Sequence, residues 1–158
     1  MCLLPQVLSG EQPRACYHLH LEPQPELVSA ARAFVVEHAP PMPQETRDAM
    51  VLLTSELVTN GILHAGTPLE VGLTLLDEAV VVSVYDLDTR RPEQRPYPGR
   101  EGGWGLGLVS ALATHYSLDS HPDGGKTAWF RLATACLPVV PDNAVVRASD
   151  PTTDAGSA

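Results

Sequence analysis

The sequence predicts an α+β domain, and three observations predict it. The fifteen prolines of the 158-residue chain are clustered and leave four proline-free windows, 44 to 67, 69 to 91, 99 to 121 and 123 to 137, where helix and ladder hydrogen bonds can run unbroken. Two pairs of short apolar segments face each other across Asp77-Glu78 and across Asp123-Gly124-Gly125, both of them turn signals between strands. Helix-length windows precede the first pair and separate it from the second.

Taken in order, residues 15 to 22 (ACYHLHLE) alternate and read as a first strand. Residues 25 to 38 read as a helix with Pro25 in its first turn, a position where proline loses no hydrogen bond. The window 44 to 64 opens with acidic residues and is long enough for a major helix. Residues 69 to 76 and 79 to 86 form the first hairpin, a helix is expected over about 105 to 115, and 116 to 121 with 126 to 133 form the second hairpin. The cluster Pro92, Pro96, Pro98 reads as a surface loop, and from Pro138 onward periodicity is lost. The expected organisation is a flexible leader over 1 to 14, a domain over 15 to 135 and a disordered tail over 136 to 158.

Composition narrows the function. Nineteen acidic against ten basic residues give a net charge of −9, which argues against direct nucleic-acid binding because that requires a basic footprint to displace phosphate counterions. No apolar run approaches the roughly 20 residues of a membrane span, and the first residues lack the features of a secretory signal; a cytoplasmic location is the default expectation. Cys2, Cys16 and Cys136 are far apart and odd in number, so reduced thiols are expected. The pair His18 and His20 lies in an alternating, strand-like stretch, where a metal site is not expected. Nine of the ten basic residues are arginine and Lys126 is the sole lysine, a bias read as genome composition.

Three motifs carry chemistry. At about 100° per residue, Glu56 and Asn60 fall within roughly 40° of each other on the long helix, with Leu52, Leu53 and Leu63 in the same sector. A carboxylate and an amide on an apolar face need polar partners there, supplied either by a neighbouring loop or by a ligand. The run Gly102-Gly103-Trp104-Gly105-Leu106-Gly107-Leu108 leads into the expected helix and suits an anion, because glycines let amides converge and a helix N-terminus adds donors. Asp86 ends an apolar strand, where a carboxylate can accept a hydrogen bond from an exocyclic amine or simply begin a turn. Gly125-Lys126-Thr127 imitates the end of a P-loop, but Ser120 stands where that motif needs its first glycine, and a strand follows instead of a helix.

In this order Glu56-x3-Asn60-x3-His64-Ala65, Asp86, the 102 to 108 glycine run and Gly125-Lys126-Thr127-Ala128-Trp129-Phe130 resemble the GHKL ATPases, the superfamily of gyrase, histidine kinases and mismatch-repair proteins. The short single-domain form is most similar to bacterial anti-sigma-factor serine kinases, over roughly residues 15 to 134. The resemblance implies a two-layer α/β sandwich, with a mixed, mostly antiparallel sheet and helices on one face. It implies ATP and Mg²⁺ as cofactors, Asn60 as the Mg²⁺ ligand and Glu56 as general base. It further implies that Asp86 takes the adenine amine with help from Thr127. Gly103, Gly105 and Gly107, with the amides of Leu106 and Leu108, would hold phosphates under a lid from about Thr89 to Glu101, in which Arg100 would meet the γ-phosphate. Where the family runs Asp-x-Gly-x-Gly, this chain has Asp86-Leu87-Asp88-Thr89-Arg90.

The function so implied is a protein serine/threonine kinase that phosphorylates an anti-sigma-factor antagonist and sequesters a sigma factor, with pairing as a homodimer through the first strand and first helix. A nucleotide-binding interaction module without turnover is the alternative, favoured by the missing glycines after Asp86. ATP-driven clamp machines carry further domains, for which 158 residues leave no room.

Overall fold

A computed structural model of the chain describes residues 10–90 and 113–135. The described chain runs β1 (Ala15–Leu21), α1 (Val28–His38), α2 (Gln44–Ala65), β2 (Leu69–Leu75), β3 (Ala79–Asp86), β4 (Ala113–Ser120) and β5 (Lys126–Ala133), with a 3₁₀ turn over Pro25–Leu27 leading into α1. The strands form one sheet in the order β1-β2-β3-β5-β4, and every neighbouring pair is antiparallel. Both helices cover the same face, giving the two-layer α+β arrangement.

Strand alternation decides what each face carries. In register across the sheet, Leu19, Val71, Val84 and Ala128 form one row, and Tyr17, Leu73, Val82 and Phe130 the next. These rows meet Ala31, Phe34 and Val35 of α1 and Ala49, Met50, Leu53, Leu57, Val58 and Ile62 of α2 in one continuous core. Thr54 is buried there too, its hydroxyl satisfied by the Met50 carbonyl at 2.7 Å. The opposite face is polar, with a smaller apolar cluster of Leu76, Ala79, Val81 and Trp129.

α1 is tied to β1 by His38, whose Nδ1 lies 3.0 Å from the Phe34 carbonyl and whose ring stands 4.4 Å from Tyr17. α2 stops where Gly66 takes a left-handed φ of 62°, a conformation glycine adopts without penalty. Gly61 matters through its size: a Cβ there would sit 3.0 Å from Leu69 Cδ2, so its absence lets α2 lie close on β2.

Two expectations are corrected. Of the helix expected over about 105 to 115, residues 113 to 115 are strand instead, because β4 begins at Ala113 and pairs with β5; 105 to 112 lie outside the described residues. A bulge between Ala113 and His115 is bridged by the Thr114 hydroxyl donating to the Arg131 carbonyl at 3.2 Å, so sheet pairing outweighs the helical pattern of the neighbouring residues. Cys16 is disulfide-bonded, not a reduced thiol; its partner lies outside the described residues, and spacing along the chain carries no information about proximity in space. The residues just before β1 are held, with the Arg14 amide on the Leu75 carbonyl at 2.8 Å and Glu11 paired with Arg131 at 3.2 Å.

Candidate functional site

The helix-facing side chains of β3 run Val80, Val82, Val84, Asp86, so the alternation that builds the core delivers a carboxylate to its edge. Asp86 is 4% exposed. It stands in register between Leu69 on β2 and Lys126 on β5. Its Oδ1 accepts the Asp88 amide at 2.9 Å and lies 3.7 Å from the Lys126 ammonium. Burial pushes the Asp86 carboxyl up from its ordinary range, only partly offset by that amide and by Lys126.

Asp88, two residues on, behaves in the opposite way. It accepts Arg90 Nε at 2.9 Å, Lys126 Nζ at 2.8 Å and the Arg90 amide at 3.1 Å. These donors hold its carboxyl well below the usual carboxylate range. The Arg90 guanidinium also donates to the His64 carbonyl in the last turn of α2, where helix carbonyls lack partners and a cation is favoured. The chain leaving β3 is therefore tied to β5 through Lys126 and to α2 through Arg90.

Lys126 reaches Asp86 because of a tight turn. Gly125 has φ 83°, and a Cβ there would come within 2.5 Å of the Asp86 carbonyl oxygen and 2.7 Å of Tyr85 Oη. Only glycine lets the start of β5 lie this close to the end of β3. Thr127 occupies the next position and is in register with Tyr85, which places it on the face away from the helices, with its hydroxyl 2.7 Å from His121 Nε2. The structure therefore brings Lys126 to Asp86 and leaves Thr127 on the far side.

On α2, Glu56 and Asn60 do share one side, but that side is open. Glu56 is exposed, Asn60 half-buried, and of the leucines in their sector Leu52 is 38% and Leu63 68% exposed, while Leu53 is buried. The expected apolar burial of this sector is thus corrected: the helix seats itself on Met50, Leu53, Leu57, Val58 and Gly61, and the sector bearing Glu56 is rotated out of the core. Glu56 is thereby left facing solvent, one turn from Asn60. A cavity of ≈ 400 Å³ between the start of α1 and the second half of α2, lined by Arg32, Thr59, Ile62 and Leu63 among others, contains none of the predicted site residues.

Arg100, Gly103, Gly105, Leu106, Gly107 and Leu108, with the lid beyond Arg90 and the tail over 136 to 158, lie outside the described residues. Sequence reasoning missed Lys126, Asp88 and Arg90 as members of the Asp86 cluster. One signal was present for Lys126, that it is the one lysine of the chain; its place across from Asp86 comes from the pairing of β3 with β5, strands of two different hairpins.

Among the described residues no three His, Cys, Asp or Glu side chains stand together as a metal site, and no helix is long and apolar enough to cross a membrane. No curated protein matches the chain. The family model for the histidine kinase-like ATPase domain matches residues 21–132. That span runs from the last residue of β1 nearly to the end of β5, taking in α2, the Asp86 cluster and both hairpins, and by it the chain belongs to the histidine kinase-like ATPase domain family.

Proposed function

We propose that the chain binds ATP at the Asp86 end of the sheet and acts in the cytoplasm as a protein serine/threonine kinase on an anti-sigma-factor antagonist, with sequestration of a sigma factor as its second output. The observation that carries the nucleotide assignment is Asp86 itself. A buried carboxylate with a raised pKa, placed at the edge of an apolar face, is costly to the fold and suits an amine donor brought by a ligand. Glu56 is exposed on α2, as a site that must admit phosphates and a second protein requires.

The fit to Mg²⁺ rests on donor chemistry: the Asn60 amide oxygen is a hard oxygen donor, and Mg²⁺ takes one or two protein oxygens together with phosphate oxygens. When bound, Mg²⁺ supplies charge neutralisation on the phosphates. The chain's own part is positional. Asp86 orients the base, and Glu56 accepts the proton of the attacking serine hydroxyl as its oxygen bonds to the γ-phosphorus. The bond from that phosphorus to the bridging oxygen breaks, and ADP leaves with the electron pair. The acidic surface, net charge −9, suits a basic patch on the partner, and a homodimer through β1 and α1 is part of this reading.

Calorimetric titration with ATP, with and without Mg²⁺, tests it. The Mg²⁺-dependent gain in affinity should vanish in Asn60→Ala while Mg²⁺-free binding persists; absence of any ATP binding to the wild type would refute the proposal. Label transfer from ATP to a candidate antagonist should fall at least about 100-fold in Glu56→Gln, and undiminished transfer would remove Glu56 from the chemistry. The second reading, a binding module without turnover, is favoured by the ion-paired chain after Asp86, where Asp88 and Arg90 stand at the positions of the family's glycines and Asp88 is paired with Arg90 and Lys126. ATP binding without label transfer to any antagonist would decide for it.

A further inference from the structure

We propose that Lys126 is the second base-reading group of this site: its ammonium donates to the ring nitrogen beside the exocyclic amine of adenine, while Asp86 on the neighbouring strand accepts from the amine. This rests on the assignment of the nucleotide to the Asp86 end of the sheet. Adenine presents a donor, its 6-amino group, directly next to an acceptor, N1. Recognition of that edge needs an acceptor and a donor side by side, and the sheet register supplies that pair. Asp86 and Lys126 are cross-strand partners, and their charged atoms stand 3.7 Å apart.

Three features favour Lys126 over its neighbours. Thr127, the other donor at this end of β5, lies on the opposite face with its hydroxyl committed to His121. The ammonium has three donors, and among the described residues only the one to Asp88 Oδ2 at 2.8 Å is within hydrogen-bond distance of a carboxylate; Asp86 stands at 3.7 Å. The Lys126 and Asp86 side chains are 13% and 5% exposed, so a hydrogen bond made here competes with little water and discriminates strongly. Gly125 and Asp88 set the position of the ammonium, the first by its tight turn and the second by its charge. The arrangement gives the chain a direct protein donor to the base.

The test compares ATP with 1-deaza-ATP, which keeps the amine and replaces N1 by C–H, by titration calorimetry on the wild-type protein with Mg²⁺. A hydrogen bond from a charged donor predicts roughly 10- to 100-fold weaker binding of the analogue. Equal affinity for the two nucleotides would overturn the inference while leaving the nucleotide site standing. Failure of both to bind would overturn the site and the inference together. The variant Lys126→Met adds a second arm: ATP affinity should fall by a similar factor while 1-deaza-ATP loses little more, because the partner atom is already gone. A lysine that merely braces Asp88 would weaken both nucleotides alike, and that result would also overturn the proposal.

Discussion

The two ends of β3 carry the same geometry and opposite economies. At the hairpin end Val80 and Val82 face the helices, fully buried among Phe130, Leu132 and the apolar side of α2, and each stabilises the fold by leaving water. Two residues beyond Val84, on the same face and equally sheltered, Asp86 is a carboxylate whose burial works against its charge. One strand thus passes from a region where burial is the source of stability to one where burial costs stability. The division is local: Asp88, on the far side of a turn, is fully satisfied by Lys126 and Arg90 and anchors the transition.

The largest expected effect lies at the core end. Phe130 has no exposed surface and stands in register between Val82 and Tyr116. Phe130→Ala should cost about 3–5 kcal/mol, read as a lowered urea midpoint. A cost below about 1 kcal/mol would mean that this region does not carry the fold. An intermediate effect is expected at the turn that joins the regions. Gly125→Ala combines φ 83° with backbone contact at 2.5 Å, and should cost about 1–3 kcal/mol and weaken ATP by moving Lys126 away from Asp86. Gly124→Ala is the control: its φ is also positive at 97°, but a Cβ there would meet only Thr89 Cγ2 at 3.2 Å, so it should be milder on both counts. Equal losses would show that backbone conformation alone matters and that closeness to Asp86 does not.

The same contrast explains what the sequence could and could not show. The core end is written in local pattern: alternation and proline-free windows mark β2, β3, β5 and α2 within a residue or two of their ends, because burial repeats with the period of the element. The site end is written in pairings between distant segments. Lys126 meets Asp86 only because β5 pairs with β3, a strand of the other hairpin, and the helical wheel of α2 gave the angle between Glu56 and Asn60 without saying which sector would face the sheet. Thr127 was attractive by motif, yet one position of strand alternation sends it to the opposite face. Residues 113–115 became strand because β5 offered them a partner, and Cys16 found a partner through space, neither of which composition encodes.

The smallest effect on stability, and the sharpest test of the contrast, is Asp86→Asn. The raised pKa means that folded Asp86 binds its proton more tightly than the unfolded chain does, so its contribution to stability falls as pH rises from about 4 through the raised value. Asn does not titrate, and its Oδ1 can still accept the Asp88 amide. The difference in stability should therefore shift in favour of the variant between about pH 4 and neutrality. Asp88 adds no slope in this window: with its pKa lowered it is ionised in both states, and its share is lost only in stronger acid. ATP affinity should fall about 10- to 100-fold even though the protein is no less stable, because the amide's N–H₂ cannot accept from the adenine amine. Thermal unfolding of both proteins across that pH range, beside calorimetry at neutral pH, reads the two quantities separately. A variant whose disadvantage grows as pH rises across this window would show that the ion pair with Lys126 outweighs the burial of Asp86, and that the site end of β3 belongs to the same economy as its core end.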